Sequence, residues 1–129
     1  MIHRDYNTIS VGRIDDCLAS IALENRDALL RRNREIVARN LAVLDNWVSG
    51  EPRMDWVRPT GGTVTLLKYR ADMGSEEFCR RLLAETGVLL VPGQAFEVEG
   101  TVRIGFGNAT ATLEAGLAGL SRFLRTISQ

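Results

Sequence analysis

The sequence predicts an α+β fold: a small, mostly antiparallel sheet covered by helices on one face and preceded by a long helix. Three observations carry this. Apolar residues recur at helical spacing across residues 26–48. Two later segments, 63–69 and 101–106, are β-branched and wholly or partly alternating. Shorter helical stripes lie between and after them, so strands and helices interleave within 129 residues, about one domain's length.

The elements follow in order. Residues 1–12 are polar and aperiodic, ending in Gly12. Asp15 or Asp16 is placed as the cap of a short helix through Leu23, with Cys17, Leu18, Ile21 and Ala22 on one stripe. In the long helix, Leu30, Val37, Leu41, Leu44 and Val48 stand seven, four, three and four residues apart. Asn25 is its expected N-cap, Asp27 suits its first turn, and Gly50 followed by Pro52 stops it. Arg31, Arg32, Arg34 and Arg39 lie mostly around the other face, which is either solvated or set against a second domain or subunit.

Residues 51–62 read as a loop containing Trp56, Pro59, Gly61 and Gly62, and 63–69 (TVTLLKY) as a strand. Ser75 is the expected cap of a helix over 76–86, with Glu76 and Glu77 in the dipole-favoured first turn and Gly87 as its stop. Phe78, Leu82 and Leu83 form its buried stripe. Residues 88–91 (VLLV) are a continuous apolar run, as in a buried strand. Pro92-Gly93 predicts a turn, with Gly93 accepting positive φ. In 101–106 (TVRIGF), Val102, Ile104 and Phe106 point one way and Thr101, Arg103 and Gly105 the other. A last helix over 110–126 carries Leu113, Leu117, Leu120 and Leu124, capped by Asn108 or Thr110.

Composition excludes several function classes. Sixteen basic and sixteen acidic residues cancel, which argues against a polybasic nucleic-acid or membrane footprint. Cys17 and Cys79 stand far apart, in no metal spacing, and read as reduced, structural thiols. With His3 the single histidine, no Ser-His-Asp or Cys-His set can be assembled. No stretch approaches the ~18 apolar residues of a membrane span. The N-terminus has no apolar signal core, so the expected compartment is the cytoplasm. Fifteen of the sixteen cations are arginine, leaving Lys68 as the one amine and an expected solvent-facing strand residue.

Arg103 is the sharpest candidate. It sits on the strand face not committed to the core, between the small residues Thr101 and Gly105, with room to offer its planar fork to a carboxylate. A surface or ion-paired arginine on an edge strand is the competing reading. Gly61-Gly62 and Pro92-Gly93 read locally as turns. The run GFGN at 105–108 enters a helix but lacks the glycine fingerprint of a phosphate-binding turn.

An ordered set of motifs adds more than any one of them: Pro59-x-Gly61-Gly62, Ser75-x-Glu77-Phe78, Leu83-x-Glu85-x-Gly87-Val88, Pro92-Gly93-x-x-Phe96 and Val102-Arg103-Ile104. In this order they resemble the C-terminal part of class I/II aminotransferases, pyridoxal-phosphate (PLP) enzymes of the aspartate-aminotransferase fold, fold type I. The resemblance covers most of residues 25–129. It implies three parts: 1–24 similar to the end of the large domain, 25–50 the long connecting helix, and 51–129 the small C-terminal domain.

The resemblance further implies that Arg103 holds the substrate α-carboxylate and that Gly61 and Gly62 bring small-domain backbone near the substrate. Pro92 and Gly93 match the turn before the carboxylate-binding strand. Tyr6, Asn7 and Thr8 fall where such enzymes approach the dimer interface and active site. The implied reaction moves an amino group between an amino acid and a 2-oxo acid, in a homo-oligomer without nucleic-acid or membrane partners. PLP belongs to the full-length parent, held by a lysine in the large domain. Lys68, in a small-domain strand, is not that lysine. This chain is therefore expected to be a piece of a longer one, binding no cofactor and inactive alone. Two alternatives stand beside this: a non-catalytic carboxylate-binding or oligomerisation module, and a PLP-dependent synthase, cyclase or decarboxylase of the same fold.

Overall fold

A computed structural model describes residues 12–127. The chain divides into two compact units, Met1–Arg34 and Glu35–Gln129. In the described part of the first unit, helix α1 (Arg13–Glu24) is followed by the opening turns of helix α2 (Arg26–Gly50), with no residue of α1 buried. Asn25 closes α1 rather than capping α2 with its side chain: its Nδ2 and backbone N–H both donate to the Ile21 carbonyl, at 2.8 and 3.1 Å. The residue before α1 is Gly12, and Asp15 and Asp16 fall inside the first turn. Cys17, expected to be structural, is exposed. Its stripe, with Leu18 and Ile21, is apolar but uncovered.

The second unit contains the sheet. Its elements after α2 are β1 (Met54–Trp56), β2 (Val64–Tyr69), α3 (Ser75–Thr86), β3 (Val91–Pro92), a 3-10 turn (Gly93–Phe96), β4 (Thr101–Gly105) and α4 (Thr110–Thr126). The strand order is β1-β2-β4-β3, with every pair antiparallel. Period-two alternation sorts the side chains. Met54, Leu67, Tyr69, Val102 and Ile104 are buried in one core with Leu44 and Val48 of α2, Phe78 and Leu82 of α3, and Leu113, Leu117, Phe123 and Leu124 of α4. Three rings link sheet to helices: Tyr69 stacks on Phe78 with centroids 4.3 Å apart, and Phe78 meets Phe123 edge-on at 5.1 Å. Each of the fully buried Phe78, Phe106 and Phe123 is worth about 1.5–3 kcal/mol of transfer free energy.

The expected α+β class, antiparallel sheet and helical cover are all present. Several local expectations are corrected, among them Leu83, placed in the buried stripe of α3 but 45% exposed. The segment 51–62 contains β1, three residues pairing with β2, too short for a period to register in sequence. The run 88–91 is not a strand throughout: only Val91 and Pro92 pair with β4, Leu90 is buried and Leu89 is 73% exposed. Ser75 does not cap α3; Gly74 precedes the helix, and Ser75 is its buried first residue. Likewise neither Asn108 nor Thr110 caps α4, which Ala109 precedes without a side-chain bond.

Candidate functional site

Arg103 lies on β4, the strand between β2 and β3, facing Leu66 on one side and Val91 on the other. It is therefore interior to the sheet, not on an edge. Its neighbours Val102 and Ile104 are buried on the opposite face, so Arg103 projects from the face the helices leave open. Arg103 as a residue is half-buried, with its Cζ 4.8 Å from the centroid of the Phe96 ring. No carboxylate among the described residues pairs with it; the ion pairs found are Arg26–Asp27, Arg58–Asp45, Arg80–Glu77 and Arg81–Glu85.

The segment before β4 is closely tied. Ser75 donates from its backbone N–H and its Oγ to the two carboxylate oxygens of Glu99, at 2.5 and 3.0 Å. Its Oγ in turn accepts from the backbone N–H of Gln94 at 3.1 Å, anchoring the 3-10 turn. These bonds favour the ionised form, and the Ser75 backbone N–H is the main cause holding the Glu99 carboxyl below its ordinary range. Burial, with Glu99 nearby, pushes the Tyr69 hydroxyl up to about 12, and that hydroxyl donates to the Met73 carbonyl at 2.8 Å. Gly93 is required here by space rather than by φ, correcting the expected turn geometry. A Cβ on it would collide with Thr101 Oγ1 and the Val98 carbonyl, and would stand 2.7 Å from the Thr101 carbonyl.

The segment after β4 is clamped from α2. Asn40 is fully buried. Its Nδ2 donates to the carbonyls of Phe106 and Asn108, at 2.8 and 2.7 Å, and its Oδ1 accepts from the Thr110 hydroxyl at 2.7 Å. The glycine-rich turn at 105–108 is thus held by one side-chain amide. Sequence reasoning passed over Asn40, Glu99 and the contact between Phe96 and Arg103. Only Asn40 left a local signal: a polar residue on an apolar stripe, three after Val37 and four before Leu44.

Gly61 and Gly62 are exposed in the loop before β2. Gly62 has φ +86°, a left-handed conformation that side chains resist. The loop enters the sheet where Val64 faces Gly105 and the Thr63 carbonyl accepts from the Phe106 N–H at 2.8 Å. It therefore lies at the end of the β2–β4 pair where β4 finishes, four residues before Leu66, which faces Arg103. Lys68 lies towards the other end, exposed, facing Asp55 and Thr101. His3, Tyr6, Asn7 and Thr8 fall outside the described residues. Among the described residues no three metal-ligating side chains gather, and no helix is long and apolar enough to cross a membrane.

The family model for aminotransferase class I and II matches residues 13–120. The chain belongs to this family. Capreomycidine synthase of Streptomyces vinaceus is 36% identical over 124 residues, a match covering 95% of this chain and 32% of that protein. A PLP-dependent aminotransferase structure from Streptococcus suis superposes with a TM-score of 0.93 at 45% identity, covering 98% of this chain and 34% of that one. The structure of the PLP-dependent cyclase OrfR superposes at 0.86 with 36% identity, covering 95% and 34%. The chain thus spans about a third of the length of these relatives. Its fold is the one these family structures share.

Among the described residues, no enclosed lysine offers its amine to the cofactor named for the PLP-dependent relatives. Lys68, the one amine-bearing side chain, stands on an exposed strand face opposite Asp55 and Thr101. That setting lacks the enclosure that keeps water from a lysine engaged in carbonyl chemistry.

Proposed function

We propose that this chain is the substrate-carboxylate-binding part of a PLP-dependent enzyme that moves an amino group between an amino acid and a 2-oxo acid. The observation that carries the reading is Arg103: a half-buried arginine on the open face of the sheet, set over an aromatic ring and paired to no described carboxylate. A fork left free in this way matches the two oxygens of an α-carboxylate. In this reading Gly61 and Gly62 bring an exposed, side-chain-free backbone to the same region. Residues 1–24, 25–50 and 51–129 correspond to the end of the large domain, the connecting helix and the small domain. When bound, PLP supplies the electron sink for the reaction. It is held by other parts of the full-length parent, because Lys68 does not fit the task.

A second reading, a PLP-dependent cyclase, is favoured by the 36% identity to capreomycidine synthase and by the superposition on OrfR. Arg103 has the same role in both. Ring closure within one amino acid consumes no 2-oxo acceptor, whereas amino transfer requires one. Calorimetric titration with an amino acid and its 2-oxo acid tests both points. Binding of both, lost in Arg103→Ala, supports amino transfer. Binding of the amino acid alone, also lost in Arg103→Ala, supports the cyclase. Binding that survives the substitution overturns the role of Arg103.

We place the parent in the cytoplasm as a homo-oligomer. Two free cysteines suit a reducing compartment, and exposed apolar residues such as Ile14, Leu18 and Ile21 suit subunit contact.

A further inference from the structure

Arg103 has an aromatic neighbour where an acidic one would be usual. We infer that Phe96 is a positioning residue for Arg103: its ring is a platform that fixes the plane of the guanidinium while leaving the fork free for a ligand carboxylate. The inference rests on the reading of Arg103 as the carboxylate-binding residue.

The geometry is that of a cation over a ring, with Cζ 4.8 Å from the Phe96 centroid, inside the ~6 Å range of cation–π attraction. A guanidinium is planar, and its five N–H donors point outward in that plane. A ring stacked on that plane would use none of them. A protein carboxylate in the same place would restrain the arginine equally well but would occupy the donors a substrate needs. No described carboxylate does so.

Phe96 is not a core residue. It is 41% exposed and is absent from the core and from the apolar residues packed against it. Yet the turn it ends is firmly set. The Gln94 N–H donates to Ser75 Oγ at 3.1 Å, the Val98 N–H donates to the Gly93 carbonyl at 3.0 Å, and Gly93 packs against Thr101 with no room for a Cβ. Thr101 opens the strand that carries Arg103, so the turn bearing the ring is tied to the strand bearing the arginine. An exposed ring on so constrained a turn is explained by what it holds.

The test uses the Nε–Hε NMR signal of Arg103 in the whole chain, identified by its loss in Arg103→Lys. Ring current from Phe96 is expected to move this proton away from the solvated arginines. Phe96→Leu, and independently Phe96→Met, should return it to them; Phe96→Tyr should keep it displaced. Pyruvate is then the probe. It should shift the wild-type signal saturably, with an apparent Kd raised three- to tenfold in Phe96→Leu and Phe96→Met and kept within twofold in Phe96→Tyr. An unchanged Kd in Phe96→Leu and Phe96→Met would overturn the inference and leave the carboxylate role of Arg103 standing. An Arg103 signal that pyruvate does not move in the wild-type chain would overturn that role, and the inference with it.

Discussion

Asn40 offers the most demanding test of how the site is built. Replacing it by leucine keeps the branched outline of the side chain and removes three hydrogen bonds. The Phe106 residue is almost fully buried, so its carbonyl loses a partner that water cannot readily replace, costing about 1–3 kcal/mol. Asn108 is exposed and Thr110 half-buried, so these groups rehydrate, and each lost bond costs about 0.5–1.5 kcal/mol. Asn40→Leu is therefore expected to lower stability by about 2–6 kcal/mol. Urea unfolding followed by tryptophan fluorescence measures it, because Trp47 and Trp56 both lie in the unit holding Asn40.

Asn40→Asp sharpens the test. It sets a buried carboxylate against two carbonyl oxygens and raises the carboxyl pKa above its unfolded value, about 3.9. A raised value stabilises below the unfolded pKa, and that contribution is lost as pH rises through the folded one. The deficit against wild type should therefore grow from pH 4 to pH 7. A loss under ~1 kcal/mol for Asn40→Leu, half of the smallest value expected from these bonds, would refute the reasoning. So would a deficit of Asn40→Asp that does not change with pH.

Three further outcomes are expected. Gly93→Ala should cost about 1–3 kcal/mol or more, because its Cβ meets backbone carbonyls, whereas Gly61→Ala, in open space, should stay within about 0.5 kcal/mol of wild type in the same unfolding assay. Glu99→Gln should lower the thermal midpoint at pH 7. The Glu99 carboxyl is held below its ordinary value of 4.5, so wild type keeps its advantage above that value and loses it as pH falls through the depressed one. A midpoint difference that stays constant through acid would count against the Ser75–Glu99 bonds. Burial pushes the Cys79 thiol up to about 11, so an aromatic disulfide reagent at pH 8 should label exposed Cys17 at once and Cys79 only on unfolding. Two thiols labelling together in the folded chain would contradict this.

How far the sequence could be read depended on the range of the interactions involved. The stripes of α2, α3 and α4 and the alternation of β4 are local periods, and each helix and strand appears where the spacing placed it, although Leu30 of the α2 stripe and Leu83 of the α3 stripe are exposed. Arg103 was legible for the same reason, since alternation alone puts it opposite Val102 and Ile104. Short pieces were not. The three residues of β1 pair only because β2 lies beside them, and four apolar residues at 88–91 carry no period that separates strand from loop. Ser75 looks like a helix cap by residue type, but its hydroxyl is taken by Glu99, 24 residues away.

The amino-acid order by itself determined the fold class, the family resemblance and the face on which Arg103 stands. All three follow from periodicity, turn residues and ordered motifs, which act over a few residues along the chain. The tertiary structure alone decided what surrounds that arginine. Phe96 comes beneath it from seven positions earlier, and Asn40 clamps the turn after it from a helix 66 residues before Phe106. Gly93 is needed for the room it leaves beside Thr101, not for its φ. These are contacts between distant segments, and no local pattern records them, because the packing that creates them exists only once the sheet has formed.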